Sequence, residues 1–176
     1  MDPLHFHFKH PTTIQVSEPT RCGKTRLVRR ILKHQPIKPF ASRIIWVCSE
    51  WQLYYDIILE RYPGIEFEKE WRDKIFDSLS SEQRNILILD DQMGLASSST
   101  SVADLFKKGS HHKNLTVIYL VQNKYNQNKS KRTILLNSHY SVVFRKCRDA
   151  SKFRTMAYLI CPINGKWLVD SFTDAT

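Results

Sequence analysis

Apolar residues in this chain follow two rhythms. Short, nearly unbroken apolar runs alternate with stretches in which apolar positions recur every three or four residues. The runs are Thr12-Thr13-Ile14-Gln15-Val16-Ser17, Arg43-Ile44-Ile45-Trp46-Val47-Cys48, Asn85-Ile86-Leu87-Ile88-Leu89-Asp90-Asp91, Leu115-Thr116-Val117-Ile118-Tyr119-Leu120-Val121 and Ser141-Val142-Val143-Phe144. Each has the length and the β-branched content of a strand. Strands this apolar along their length are buried on both faces, which marks a parallel sheet covered by helices.

The periodic stretches supply the cover. Lys24 to Gln35 predicts a helix with Leu27, Val28, Ile31 and Leu32 on one face, ended by Pro36 and Pro39. Trp51 to Tyr62 predicts a second helix, stopped by Pro63-Gly64. The amphipathic stretch from Ile65 to Ser81 predicts a short helix, and Val102 to Lys108 another. Residues 96–101 and 124–132 read as polar loops. Alternating strands and helices give an α/β fold, a three-layer sandwich on a mainly parallel central sheet, expected as a single domain over residues 1–176.

Composition narrows the class of function. The hydrophobic fraction of 41% excludes a disordered chain, and the net charge of +10 points to a polyanionic partner unless it serves only solubility. The four cysteines, Cys22, Cys48, Cys147 and Cys161, form no C-x-x-C pair, which argues against a zinc site and against a disulfide scaffold. His111-His112 lacks a third ligand at suitable spacing; with Lys107, Lys108 and Lys113 it reads as a basic loop, either solvated or set against nucleic-acid phosphates. No charged-then-apolar leader opens the chain, and no apolar run approaches the roughly 20 residues that cross a bilayer. The expectation is an intracellular protein with no membrane partner.

Chemistry is concentrated at the ends of the predicted strands. Gly23-Lys24-Thr25 opens a helix directly after a strand and a turn, which is the context of a phosphate-binding loop. In such a loop the backbone of Pro19, Thr20, Arg21, Cys22, Gly23, Lys24, Thr25 and Arg26 wraps the phosphates, every residue but Pro19 offering an N–H donor. Lys24 reaches the β- and γ-phosphates, and the Thr25 hydroxyl is a Mg²⁺ ligand. Asp90 and Asp91 end an apolar strand at the edge where α/β sheets bind ligands. Asp90 is the candidate for holding Mg²⁺, and Asp91 for orienting or deprotonating the attacking water. Gln122 ends the next strand and could hydrogen-bond the γ-phosphate or that water. A plain turn after the strand is the alternative for the two acids, and a polar strand cap for Gln122.

The loop departs from the pattern G-x-x-x-x-G-K-[ST] at its first glycine, where this chain has Glu18. A glutamate adds bulk and a negative charge beside a polyphosphate. Like charges a few ångströms apart in a partly desolvated site cost on the order of 1–4 kcal/mol. Arg21 could offset part of that. The loop thus specifies the fold without specifying ATP hydrolysis.

Three segments carry a resemblance to a known family. They are Leu105-Phe106-Lys107-Lys108-Gly109-Ser110-His111-His112-Lys113-Asn114-Leu115-Thr116-Val117-Ile118, then Val121-Gln122-Asn123, then Leu136-Asn137-Ser138-His139-Tyr140-Ser141-Val142-Val143-Phe144-Arg145-Lys146-Cys147-Arg148-Asp149. They resemble the viral genome-packaging ATPases of the FtsK/HerA superfamily, in particular those of Polinton/Maverick and adintovirus-like elements integrated in animal genomes. The resemblance runs from about Pro11 to Thr176 and implies a RecA/FtsK-like P-loop NTPase fold. It implies an ATP- and Mg²⁺-dependent motor that drives double-stranded DNA into a capsid as a homo-oligomeric ring. Capsid or portal proteins would be its partners, in the host nucleus or at the site of virion assembly. It implies that Lys24 and Thr25 bind nucleotide and Mg²⁺, that Asp90 and Asp91 are the acidic pair, and that Gln122 is the polar sensor. An arginine from a neighbouring subunit normally completes such a site; Arg148 is the first candidate, ahead of Arg132 and Arg145.

Two departures from the family stand out. Glu18 and Arg21 replace glycines, and the chain stops at Asp174-Ala175-Thr176 where relatives continue into a further strand. Both point to a decayed or incomplete copy. Three readings follow: an active packaging ATPase, a catalytically impaired DNA-binding or assembly module on the same fold, and, least favoured by the basic charge, a small-molecule or nucleoside kinase.

Overall fold

A computed structural model describes residues 6–17, 23–90, 99–106, 112–121, 129–144 and 150–174. Among these residues eight strands are present: β1 (Phe8–Lys9), β2 (Thr13–Ser17), β3 (Ile37–Lys38), β4 (Arg43–Cys48), β5 (Ile65–Glu68), β6 (Asn85–Asp90), β7 (Leu115–Val121) and β8 (Tyr140–Val143). The helices are α1 (Lys24–His34), α2 (Leu53–Arg61), α3 (Asp73–Asp77), α4 (Ser99–Asp104), α5 (Lys129–Leu136), α6 (Ala150–Ile160) and α7 (Gly165–Asp174). Six strands form the main sheet in the order β5-β4-β6-β7-β2-β8, and every neighbouring pair is parallel. This is the three-layer α/β fold with a parallel central sheet that the apolar runs predict.

The two-residue side-chain period of a strand sorts the core into two layers. On one face Ile14, Val16, Trp46, Ile86, Ile88 and Leu120 pack against Val28, Ile31 and Leu32 of α1 and Tyr55 and Ile58 of α2. On the other, Val47, Leu87, Leu89 and Val117 pack against Ile75 of α3, Val102 of α4 and Ile134 of α5. Strand β6 shows the two-sided burial most plainly: Ile86, Leu87, Ile88 and Leu89 are all 0–1% exposed. Each such side chain contributes about 1.5–3 kcal/mol of transfer free energy.

Several local expectations give way. The short helix expected between Ile65 and Ser81 is present at Asp73–Asp77, but Ile65–Glu68 ahead of it is an edge strand that was not expected. Tertiary pairing decides it: Ile65 stands in register with Ile44 and Phe67 with Trp46, whose rings stack at 5.6 Å. Residues 99–101 and 129–132 are helical where loops were expected, because each belongs to a helix whose later turn buries an apolar residue, Val102 and Ile134. The β1–β3 ladder was not foreseen, since two residues carry no period. It pairs Phe8 with Ile37 and Lys9 with Lys38 and ties the start of the chain to the segment after α1.

After β8 the described chain is helical. Helices α6 and α7 form a hairpin around Phe153, Met156 and Ala157, with Phe153 stacked on Phe172 at 4.0 Å. Gly165 opens α7 hard against α6: a Cβ there would lie 2.6 Å from the Tyr158 ring and 2.9 Å from its Cα. Backbone cannot yield as a flexible side chain can, so Gly165→Ala should lower stability by about 1–3 kcal/mol in denaturant unfolding. At the amino edge of the sheet, His10 bridges Asn114 through Nε2 (2.9 Å) and Thr116 through Nδ1 (2.8 Å). Burial, against the opposing pull of its Asn114 bond and with help from the Arg84 charge, holds its pKa below the ordinary 6.5. The folded state thus resists taking the proton that the unfolded chain accepts below pH 6.5. Stability contributed by neutral His10 is full above that value and is lost as pH falls through the folded pKa. A thermal-unfolding series from neutral to mildly acidic pH should show this decline, and it should flatten in His10→Gln.

Candidate functional site

Because all six strands run the same way, their carboxyl ends share one edge, and the loops of interest leave from there. Strand β2 ends at Ser17, opposite Val121 of β7; β6 ends at Asp90, opposite Leu120 of β7. One strand therefore separates the end of β2 from that of β6, roughly 10 Å at the usual interstrand spacing. Asp90 continues the alternation of Ile86 and Ile88, which face α1 and α2. The amino end of α1 and the Asp90 carboxylate thus share both an edge and a face of the sheet.

The turn into α1 depends on one residue. Gly23 has φ 108° and ψ 21°, a left-handed conformation, and its carbonyl accepts the first helical bond from Leu27 N–H at 2.9 Å. A Cβ there would find space, its nearest neighbour being 3.9 Å away, so the backbone angle alone demands glycine. No Gly23 side chain exists to cap the helix, and the first turn holds no acid. It holds Lys24 and Arg26 instead, against the preference of the helix dipole, which favours negative charge at this end. Lys24 and Thr25 are half-buried and Arg26 is exposed. N–H groups, a helix dipole and two cations at one point make an anion-binding arrangement.

Asp90 is built differently. It is 5% exposed, at the end of a fully buried strand, and the Tyr55 hydroxyl of α2 donates to its Oδ2 at 2.8 Å. Cys48, its register partner on β4, has its thiol pKa pushed up to about 11, first by burial and then by the Asp90 charge. With its pKa raised, the Cys48 thiol is neutral beside the acid. The Thr25 hydroxyl and the Asp90 carboxylate are hard oxygen donors of the kind Mg²⁺ selects, so the residues present fit that ion. On β2, Gln15 Oε1 and Ser17 Oγ are buried with no hydrogen-bond partner among the described residues.

Of the residues singled out from sequence, the fold brings Gly23, Lys24, Thr25, Arg26 and Asp90 to one edge and face of the sheet. Glu18, Pro19, Thr20, Arg21, Cys22, Asp91, Gln122, Arg145 and Arg148 lie outside the described residues. Arg132 sits exposed on α5. Tyr55 was missed. It reads in sequence as one more apolar position on an amphipathic helix, and only the spatial approach of α2 to β6 gives its hydroxyl a role.

Comparison with known proteins adds little to this geometry. No family model matches the chain, and no curated protein matches it. Among solved structures, domain III of the replication initiation protein DnaA from Thermotoga maritima superposes with a TM-score of 0.45 at 12% identity. The match covers 86% of this chain and 62% of that one, so this chain spans less than two thirds of that domain. Among the described residues, no helix is long and apolar enough to cross a membrane, and no group of three or more His, Cys, Asp or Glu is placed to hold a metal ion.

Gly23→Ala forces an L-residue into the left-handed region and should cost about 1–2 kcal/mol, read as a lowered denaturant midpoint with an unchanged slope.

Proposed function

We propose that this chain is the nucleotide-binding subunit of an ATP-driven motor that moves double-stranded DNA, of the genome-packaging type its sequence resembles. The observation that carries the reading is the shared edge and face of the Lys24–Thr25 helix end and the Asp90 carboxylate. That is where a triphosphate and its ion would bridge a basic turn and an acidic strand end.

In this reading Lys24 neutralises the β- and γ-phosphates while the N–H groups at the start of α1 hold their oxygens. Thr25 and Asp90 would hold Mg²⁺, which when bound draws charge off the γ-phosphoryl group. Asp91 orients or deprotonates the attacking water, and Gln122 senses the γ-phosphate. Arg148 of a neighbouring copy would stabilise the charge that develops during transfer.

Charge and surface support the polyanionic partner and the assembly. α1 contains no acidic residue, and its exposed face carries Arg26, Arg30, Lys33 and His34 at helical spacing. Leu53 and Ile57, one turn apart on α2, are 86% and 50% exposed, an apolar stripe suited to packing between copies.

A second reading keeps the fold and the DNA and drops the hydrolysis. Glu18 favours it, since it sets a carboxylate where the family pattern has a glycine. Capsid or portal partners belong to the first reading only.

Lys24→Ala should abolish DNA-stimulated ATP turnover and weaken ATP binding roughly tenfold to hundredfold, the scale of one hydrogen bond to a charged group. Turnover that survives this change would remove the motor reading. Where the natural chain is silent, the paired reversion Glu18→Gly with Arg21→Gly decides between the readings. Hydrolysis gained only by that pair assigns the natural chain to the DNA-binding module.

A further inference from the structure

We propose that Tyr55 is a positioning residue for Asp90: its hydroxyl grips one carboxylate oxygen from behind and sets the orientation in which the acid meets a bound cation. The proposal rests on the nucleotide-binding reading above and assigns a part of that site which lies on α2.

The geometry has three components. First, the Tyr55 ring is 1% exposed and held by aromatic rings from three places: Trp46 of β4 at 5.4 Å, Trp51 before α2 at 5.5 Å, and Phe67 of β5 at 5.5 Å. Such a box fixes the ring, and with it the hydroxyl. Phenylalanine would fill the same box, so the packing does not account for the oxygen. A buried tyrosine hydroxyl requires a hydrogen-bond partner, and this one donates to Asp90 Oδ2 at 2.8 Å.

Second, the direction of approach matters. Tyr55 stands over β4 and β5, whereas β7 and β2 lie on the other side of β6. The hydroxyl therefore reaches Asp90 from the side away from the Lys24–Thr25 turn. Third, both partners are buried, at 1% and 5%, so water competes little for the bond, and a bond to a charged acceptor is stronger than a neutral one. A carboxylate held by one oxygen loses its torsional freedom. A cation ligand that must otherwise be ordered on binding is thereby ordered beforehand.

The test uses the full chain, a fluorescent ATP analogue, and titrations in EDTA and in increasing Mg²⁺. Tyr55→Phe should keep the near-ultraviolet aromatic spectrum and the affinity in EDTA. It should raise the Mg²⁺ concentration for half-maximal strengthening roughly tenfold, the lower end for losing a partner of a metal ligand. An unchanged Mg²⁺ requirement overturns the proposal while leaving the nucleotide reading intact. So does an equal loss of affinity in EDTA and in Mg²⁺, which marks a purely structural tyrosine. A wild-type chain that binds the analogue under neither condition removes the nucleotide reading and the proposal with it. Should Tyr55→Phe fail to fold, 3-fluorotyrosine at position 55 keeps the hydroxyl. Its fluorine resonance should move when Mg²⁺ is added to the nucleotide-bound chain, and a resonance that does not move overturns the proposal.

Discussion

A parallel sheet buried on both faces leaves polar chemistry few places to go. Strand β6 cannot hold an ionised group along its length, because Ile86 through Leu89 meet packed side chains above and below. Desolvating a charge there would cost several kcal/mol. The first position where a carboxylate is tolerable is the strand's last residue, and that is Asp90. The same constraint acts on β2, whose end hands the chain to a turn and to the positive end of α1. Parallel direction then brings both ends to one edge. The candidate site is a by-product of how the core is built, and its composition follows from which strand ends the fold places within reach of each other.

The acid and the cationic turn are supported in unequal ways. Lys24 and Arg26 stand at a helix end that electrostatics would rather see negative, so positive charge is concentrated at the start of α1. Asp90 is held by a tyrosine in an aromatic box. The acid is fixed by side-chain contacts, and the start of α1 by the left-handed backbone of Gly23. Cys48 stands beside the acid, buried, with its thiol pKa pushed up to about 11 by burial and by the Asp90 charge.

Much of this was legible from sequence because the signals were physical ones that tertiary context did not override. Five apolar runs became β2, β4, β6, β7 and β8, and the first two helices fell within a residue or two of their punctuation by proline and glycine. β5 was missed because a four-residue segment carries too little period, and only the aromatic stacking with Trp46 marks it as part of the edge. Gly23, Lys24, Thr25, Arg26 and Asp90 were readable because their chemistry depends on position relative to strand ends. Tyr55 was not. Its role comes from a contact spanning 35 residues of sequence, and nothing in the spacing of α2 separates a hydroxyl that works from one that merely fits.

The small β1–β3 ladder has a mechanical meaning. α1 is a single rod of 11 residues, about 16 Å long. One end carries the Gly23 turn. The other passes through Gln35, in left-handed geometry, straight into Ile37 and Lys38, which are hydrogen-bonded to the strand containing Phe8. Phe8 is wedged at 4.9 Å against Tyr140 of the sheet's edge strand β8. The ladder and the Phe8–Tyr140 contact therefore moor the carboxyl end of α1 to the edge strand of the sheet, a helix length away from the end that bears Lys24.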